Sequence, residues 1–339
     1  MENYIILGGG IGGIISISVL YNRYPNKHFL WIDNNGFTTG DLIHYPEVPA
    51  NTPFKILVKF IQNVYTLIGQ TRTVDDICAS KDGNIFKLKC LSAELSLITS
   101  HIKSLDRVKT INDYISSINY QQEIWNLVGN NHTYHCKNIV LTTGSIHRKL
   151  DYKIPEIPIK TALHPHKLKT LDIIDKNITV FGNSHSGILI LKNLSDLGCK
   201  NITNIIRSPT KIPYINAKGI EIYQESGVRG IGLEWVKNNM VPDNKTTIKI
   251  IYFDPNTTIS SDYVIYAIGL KRRKLKININ GIVCDMEDLI IKDDFNETGL
   301  LAPNLYGLGV GFPRKFRLGN NIEYEIGMWG FLERAVKIF

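Results

Sequence analysis

The chain has 339 residues, 43% of them hydrophobic and 21% charged, a composition that fits two domains or one large one and excludes disordered, collagen-like and coiled-coil chains. Lys and Arg number 39 against 31 Asp and Glu, a net charge of +8. A basic surface attracts anions, nucleotides included, and no nucleic-acid-reading motif accompanies it, so nucleic acid is not an expected partner. The five cysteines (Cys78, Cys90, Cys136, Cys199 and Cys284) form no CxxC pair and are odd in number. That argues against a disulfide framework and for a reducing, cytoplasmic compartment.

The first predicted element is a buried strand over Tyr4–Leu7, which runs into Gly8-x-Gly10-x-x-Gly13 and then an apolar helix reaching Tyr21. The stretch is short for a membrane span, interrupted by glycines and without a basic leader, so no membrane association is expected. A second strand, Phe29–Ile32, ends at Asp33, twenty residues beyond Gly13. This is the order of a dinucleotide-binding unit. Gly8 permits the tight turn, Gly10 lets the backbone approach a pyrophosphate, and Gly13 lets the helix pack close to the strand. The helix N-terminus offers free N–H groups to the phosphates, and Asp33 is placed to accept hydrogen bonds from the adenosine ribose. The small residues of Gly36–Leu42 suit a loop wrapped around the ligand, although glycines also mark ordinary turns.

His132-Thr-Tyr-His135-Cys136 carries metal-type ligands. It precedes a strand and reads as a β-hairpin with the two histidines on opposite faces, so no metal site is expected. The strand Asn138–Leu141 then ends in Thr142-Thr143-Gly144.

A second dinucleotide unit follows. The strand Ile178–Phe181 meets Gly182-Asn183-Ser184-His185-Ser186-Gly187 and an apolar helix to Leu194. Ser184 stands where the middle glycine would be, still small enough for close backbone approach. The next strand, Ile202–Ile206, runs to Arg207, again twenty residues past the last glycine. An acid there would repel a 2′-phosphate, whereas a guanidinium can pair with one in two-pronged geometry, which favours NADPH and leaves NADH open. His185 reads as a loop residue beside the coenzyme. The strand Asp262–Tyr266 ends in Ala267-Ile268-Gly269, followed by the basic run Lys271–Lys276. That run is either a solvated connection or a phosphate-steering patch. Trp31 and Trp329 read as core or interface aromatics.

The succession of Gly8-x-Gly10-x-x-Gly13, Thr142-Thr143-Gly144, the Gly182–Gly187 loop, Ala267-Ile268-Gly269 and the C-terminal Gly307-Leu-Gly309-Val-Gly311 resembles the flavoproteins with two dinucleotide-binding domains. That superfamily includes thioredoxin-reductase-like enzymes and flavin-containing monooxygenases. The resemblance implies an α/β fold of two Rossmann-like domains, with an NAD(P)-binding domain (156–274) inserted into a discontinuous FAD domain (1–155 and 275–339). It further implies that Gly144 and Gly309 border the FAD and that Gly269 borders the second coenzyme. The disulfide-reductase branch relays electrons through a close cysteine pair; the nearest pair here, Cys78 and Cys90, is twelve residues apart.

Three segments are similar to the monooxygenase branch. Asn51, in Val48-Pro-Ala-Asn51-Thr-Pro53, matches an Asn that lies beside the flavin ring and can hydrogen-bond oxygen there. Val310 follows Gly309 where reductases carry Gly-Asp. Thr161–His166 falls where the family has a His-containing linker, although the full linker signature is absent and the chain is shorter than a typical member. The function implied is transfer of reducing equivalents from NADPH to FAD followed by oxygen activation on a small-molecule substrate. The alternatives are an NAD(P)H oxidase or reductase serving a quinone or protein acceptor, and a low-turnover NAD(P)H-sensing flavoprotein. Substrate identity and oligomeric state do not follow from the sequence.

Overall fold

In a computed structural model the described residues are 2–78, 87–215, 221–222, 227–240, 248–291, 297–318 and 321–339. They group into two units, one made of Met1–Pro46, Thr52–Ser145 and Arg272–Phe339, the other of Glu47–Asn51 and Ile146–Lys271.

The first unit is built on strands whose apolar residues run continuously rather than alternate. β1 (Glu2–Leu7) and β2 (Phe29–Asp33) pair in parallel, and Ile5–Leu7 and Phe29–Ile32 are all buried. Continuous burial is what a parallel strand covered on both faces requires. β3 (Val108–Asn112) extends the sheet beyond β2. On the far side of β1 lies β6 (Thr133–Leu141), and beside β6 the strand Leu305–Gly307. A helix, α1 (Ile11–Arg23), is buried from Gly12 to Leu20, because the helices Phe54–Leu67, Leu88–Lys103 and Met328–Ile338 all pack against it. Two serines inside that buried stretch, Ser16 and Ser18, donate their hydroxyls to the carbonyls of Gly12 and Ile14 at 2.7 Å, which satisfies them within the helix.

β6 joins the parallel and the antiparallel parts of one sheet. Its C-terminal half belongs to the parallel layer, while Thr133–Cys136 pairs antiparallel with β5 (Ile124–Gly129), which pairs with β4 (Ile115–Gln121). The strand Lys276–Ile279 joins β4 in parallel and turns back as Ile282–Cys284. Segments from both ends of the chain therefore share one sheet and one core, which includes Trp125, Leu127, Ile139, Leu305 and Phe312. The hairpin expected around His132 and His135 is present as β5–β6. His135 is exposed and paired with Asn126 across it, and no group of residues able to hold a metal occurs among the described residues.

The second unit is a four-stranded parallel sheet in the order Lys249–Tyr252, Asn201–Ile206, Asn177–Phe181, Tyr263–Tyr266. Its helix His185–Asp196 buries Gly187–Leu191 and Leu194. The segment expected as a His-containing linker is instead folded within this unit. Thr161–His166 spans the short helices Ile159–Ala162 and Pro165–Leu168, and His164 is fully buried with Nδ1 against the Lys160 carbonyl at 2.8 Å. Burial lowers the pKa of His164 below the ordinary histidine value. Cys90, Cys136 and Cys199 are buried free thiols, and burial pushes Cys136 and Cys199 up; the Cys78 side chain lies outside the described residues. No described helix is long and apolar enough to cross a membrane.

One carboxylate anchors the end of the first unit's sheet. Asp113 accepts hydrogen bonds from the N–H groups of Tyr114 (2.8 Å) and Asn130 (3.1 Å), from Asn131 Nδ2 (3.2 Å) and from the Tyr134 hydroxyl (2.8 Å). Burial alone would raise its pKa, but the bonds from Tyr134 and the neighbouring backbone outweigh burial and hold it below the usual value. Its contribution is therefore complete above the unfolded-chain pKa of about 3.9 and lost as pH falls through the lower native value. Asp113→Asn is expected to cost about 2 kcal/mol in urea unfolding at pH 7, the scale of hydrogen bonds to a charged group. The difference from wild type should shrink as the pH of the titration is lowered below 4.

Candidate cofactor-binding sites

In the first unit the chain leaves β1 at Leu7 and turns sharply at Gly8, whose φ of +113° is a conformation that side chains oppose. A Cβ there would also stand 2.4 Å from the Thr142 carbonyl oxygen. The Gly8 N–H donates to Ile32 O at 2.8 Å, and the Thr142 N–H donates to Leu7 O at 2.8 Å. The helix then begins at Ile11, with Gly10 extended at its N-cap and the Ile14 N–H donating to Gly10 O at 3.0 Å. Gly13 lies directly against the Gly8 carbonyl, which a Cβ would approach to 2.0 Å. From the other side the Trp31 indole N–H donates to that same carbonyl at 2.9 Å.

The second unit repeats this construction. Gly182 has φ +99°, and a Cβ on it would stand 2.3 Å from the Ala267 carbonyl oxygen. The Gly182 N–H donates to Ile205 O at 2.8 Å, and Ala267 N–H to Phe181 O at 2.8 Å. Ser184 takes the extended N-cap place, with Ile188 N–H donating to its carbonyl at 2.9 Å. Gly187 lies against the Gly182 carbonyl, 2.4 Å from where its Cβ would be. Here the donor to that carbonyl is Asn204 Nδ2 at 3.0 Å, which also reaches Val180 O at 3.0 Å. Trp31 and Asn204 occupy matching strand positions, each paired with the residue two places before the first glycine. The glycine spacing announced both loops, whereas nothing local to Trp31 or Asn204 signals that two unlike side chains do one job.

The residues beyond the second strands differ. Asp33 accepts from the N–H groups of Gly9 (2.8 Å), Asn35 (3.0 Å) and Phe37 (2.8 Å), so its carboxylate organises the loop that was expected to enclose a ligand. Within that loop Phe37 and Thr39 both adopt φ +62°, unusual for residues with side chains and costly in backbone energy. Phe37 packs edge-on to Trp31 with ring centroids 4.7 Å apart, and Thr39 shares a hydrogen bond with Ser92 at 2.9 Å. The loop brings Gly40 face to face with Gly10. In the second unit Arg207 is exposed, one residue beyond its strand, and forms no ion pair among the described residues. Asn183 Nδ2 ties the neighbouring segment to the glycine loop through Ser208 O (2.8 Å) and Thr210 Oγ1 (3.1 Å).

Two more expected positions, Gly309 and Gly144, meet other glycines of the first unit. Gly309, at φ +91°, faces Gly12, with 3.5 Å between its would-be Cβ and Gly12 Cα. Gly311 abuts the Gly144 carbonyl, 2.5 Å from its own would-be Cβ. The Leu308 N–H donates to Leu141 O at 3.0 Å, and Arg334 Nη1, from the last helix, donates to Phe312 O at 2.6 Å. Gly269 lies in the second unit, where its carbonyl accepts from Arg148 N–H at 3.0 Å. Asn51 is exposed at a bend and belongs to the second unit. Two of the basic run's members are engaged rather than free to steer a phosphate: Arg272 pairs with Glu287, and Arg273 pairs with Asp41 at 3.2 Å. Trp329, expected in a core or interface, is only half-buried; its indole N–H donates to Glu333 at 2.8 Å, and Lys59 Nζ lies 4.6 Å above its ring.

One observation bears on whether these loops suit a dinucleotide. A Cβ added at Gly10 would meet nothing nearer than Gly40 Cα at 3.7 Å, so the protein's own packing does not require glycine there. The space over Gly10 and the free N–H groups of the helix start form a cradle that a side chain would begin to fill, which fits a pyrophosphate.

The fold and its duplicated loop define the class of two-module, dinucleotide-binding α/β oxidoreductases. The sequence profile of the pyridine nucleotide-disulphide oxidoreductase family matches residues 2–311, and the chain belongs to that family of FAD-dependent oxidoreductases. A curated relative is the monooxygenase AgnR1 of Paecilomyces divaricatus, 23% identical over 97% of this chain and 95% of its own length. The bacillithiol disulfide reductase of Staphylococcus aureus shares the fold with a TM-score of 0.61 at 15% identity, covering 99% of this chain and 96% of that one. A flavin monooxygenase from Stenotrophomonas maltophilia does so with a TM-score of 0.62 at 14% identity, covering 99% and 96%.

The geometry separates glycines needed by the fold from those that the fold leaves open. Gly13→Ala and Gly187→Ala force backbone against backbone, and each is expected to destabilise its own unit by about 3 kcal/mol or more in chemical denaturation. Gly10→Ala and Ser184→Ala should stay within about 1 kcal/mol of wild type.

Proposed function

We propose that the chain is an NADPH-dependent flavin monooxygenase acting on a small-molecule substrate and dioxygen. In this reading the discontinuous first unit holds FAD and the second holds NADPH. The open cradle over Gly10, faced by Gly40, is the observation that carries the FAD assignment. FAD, when bound, supplies the redox chemistry: it takes up electrons from a reduced nicotinamide and, once reduced, reacts with dioxygen. The chain's residues supply binding and orientation. Gly8, Gly10 and Gly13 shape the pyrophosphate cradle. Asp33, whose oxygens already accept from three backbone N–H groups, retains lone pairs for a ribose hydroxyl. In the second unit Gly182, Ser184 and Gly187 do the same for NADPH, with Gly269 in the turn after the sheet's edge strand. Arg207, exposed and in no ion pair among the described residues, meets the 2′-phosphate.

The monooxygenase assignment is supported by the full-length similarity to AgnR1 and by the state of the thiols. A dithiol relay needs an accessible thiolate, and the buried, raised-pKa thiols Cys136 and Cys199 are poor candidates for one. Asn51 has the part of an amide donor beside the reacting oxygen, a group that does not titrate.

The purified protein is expected to be yellow, to bleach with NADPH under anaerobic conditions, and to consume NADPH faster when an amine or thioether is added. Stimulation by quinones instead would favour the electron-transfer alternative, and binding without turnover would favour a sensor. Gly10→Val should yield a folded but colourless protein. Arg207→Ala should weaken NADPH binding by about 1.5–3 kcal/mol, the range for hydrogen bonds to charged groups, and leave NADH affinity nearly unchanged. Equal losses for both coenzymes would remove Arg207 from this role. With Asn51→Asp, flavin reduction by NADPH should persist while the share of consumed NADPH recovered as hydrogen peroxide rises several-fold. An unchanged share would return Asn51 to an ordinary bend residue.

A further inference from the structure

The second glycine loop contains a buried polar side chain with no hydrogen-bond partner among the described residues. His185 is the first residue of the helix His185–Asp196, one place after Ser184 and two before Gly187. Its ring lies toward the start of the helix Gly230–Asn239, where a Cβ on Gly232 would stand 3.7 Å from His185 Nδ1. Both ring nitrogens are buried, and neither has a hydrogen-bond partner among the described residues. A neutral imidazole carries one donor and one acceptor, and leaving both unmade away from water is costly and rare in folded proteins. Burial, and secondarily the charge of Arg229, pushes the His185 pKa down to about 4, so the ring is neutral and keeps both functions near pH 7. The loop itself does not need this residue. The first unit builds the same turn and the same helix start with the apolar Ile11 at the matching position.

We propose that His185 is a coenzyme-recognition residue of the second loop, its neutral imidazole turning about its side-chain bonds to donate to a phosphate oxygen of NAD(P)H and accept from a ribose hydroxyl. The inference rests on the assignment of this loop to NAD(P)H and adds a contact to the part of the coenzyme that NADPH and NADH share. Coenzyme binding then completes hydrogen bonds that the free protein lacks, so the residue favours the bound state at the expense of the free one.

The test uses the full-length, FAD-loaded protein and titration calorimetry with the redox-inactive probes NADP⁺ and NAD⁺. His185→Phe keeps a ring and removes both hydrogen-bonding functions. It is expected to weaken both probes by the same factor, about tenfold, without lowering the thermal midpoint of the free protein. His185→Asn restores a donor and an acceptor and should recover part of the affinity. Unchanged affinity in His185→Phe overturns the proposal, and so do equal losses in the two variants accompanied by lower midpoints, which mark a packing role. Failure of the wild type to bind either probe would overturn the assignment of the loop itself. A loss confined to NADP⁺ would place the effect at the 2′-phosphate and overturn the contact proposed here.

Discussion

A single backbone carbonyl in each unit, that of the first loop glycine, sets how close the helix can come to the sheet. In the first unit the oxygen of Gly8 is held between the bare Cα of Gly13 and the indole N–H of Trp31; in the second, that of Gly182 is held between Gly187 and the amide of Asn204. The carbonyl is polar and partly buried, so it needs a donor, and the helix that covers it supplies none at that point. A neighbouring strand therefore has to send a side chain across. With that bond made and no Cβ in the way, the helix start sits directly beyond the strand end, with its free N–H groups presented to an anion.

The two modules satisfy this constraint with different chemistry, and the difference follows from what surrounds each strand. Trp31 also serves as a core aromatic against which Phe37 packs, so the donor to Gly8 and the support of the strained Asn34–Gly40 loop are one residue. Asn204 bridges two carbonyls of the adjacent strand and turn. Beyond the strands the divergence continues. An acid folds its own loop through three backbone bonds in one unit, and in the other an exposed guanidinium stands beside a loop tied back through Asn183. A shared backbone geometry thus carries two different electrostatic surfaces, which is how one fold can accommodate two different dinucleotides.

The first unit depends on chain that arrives after the second is complete. Leu305–Gly307 lies parallel to β6, and the glycines that follow meet Gly12 and Gly144 at the mouth of the first loop. Arg334, on the last helix, holds the Phe312 carbonyl that ends this segment. The cradle is therefore assembled from three stretches far apart in sequence, and changes in the C-terminal helix can reach it without touching its glycines.

Much of this was legible beforehand because it rests on local rules. Glycines at the spacing of a strand–turn–helix, apolar runs of strand length, and an acid or a base twenty residues on are all dictated by backbone sterics and by burial on both faces of a parallel sheet. Those rules gave the α/β class, both loops, and the small-residue turns at Thr142–Gly144 and Ala267–Gly269. The sequence could not disclose which distant donor meets a loop carbonyl, because Trp31 and Asn204 have nothing in common except their register opposite Ile6 and Val180. Nor could it disclose that Arg272 and Arg273 are held by Glu287 and Asp41, or that His164 is a buried helix-joint residue rather than part of a linker. Each of these depends on which side chain lies within about 3 Å of which, and only the packing of distant segments settles that.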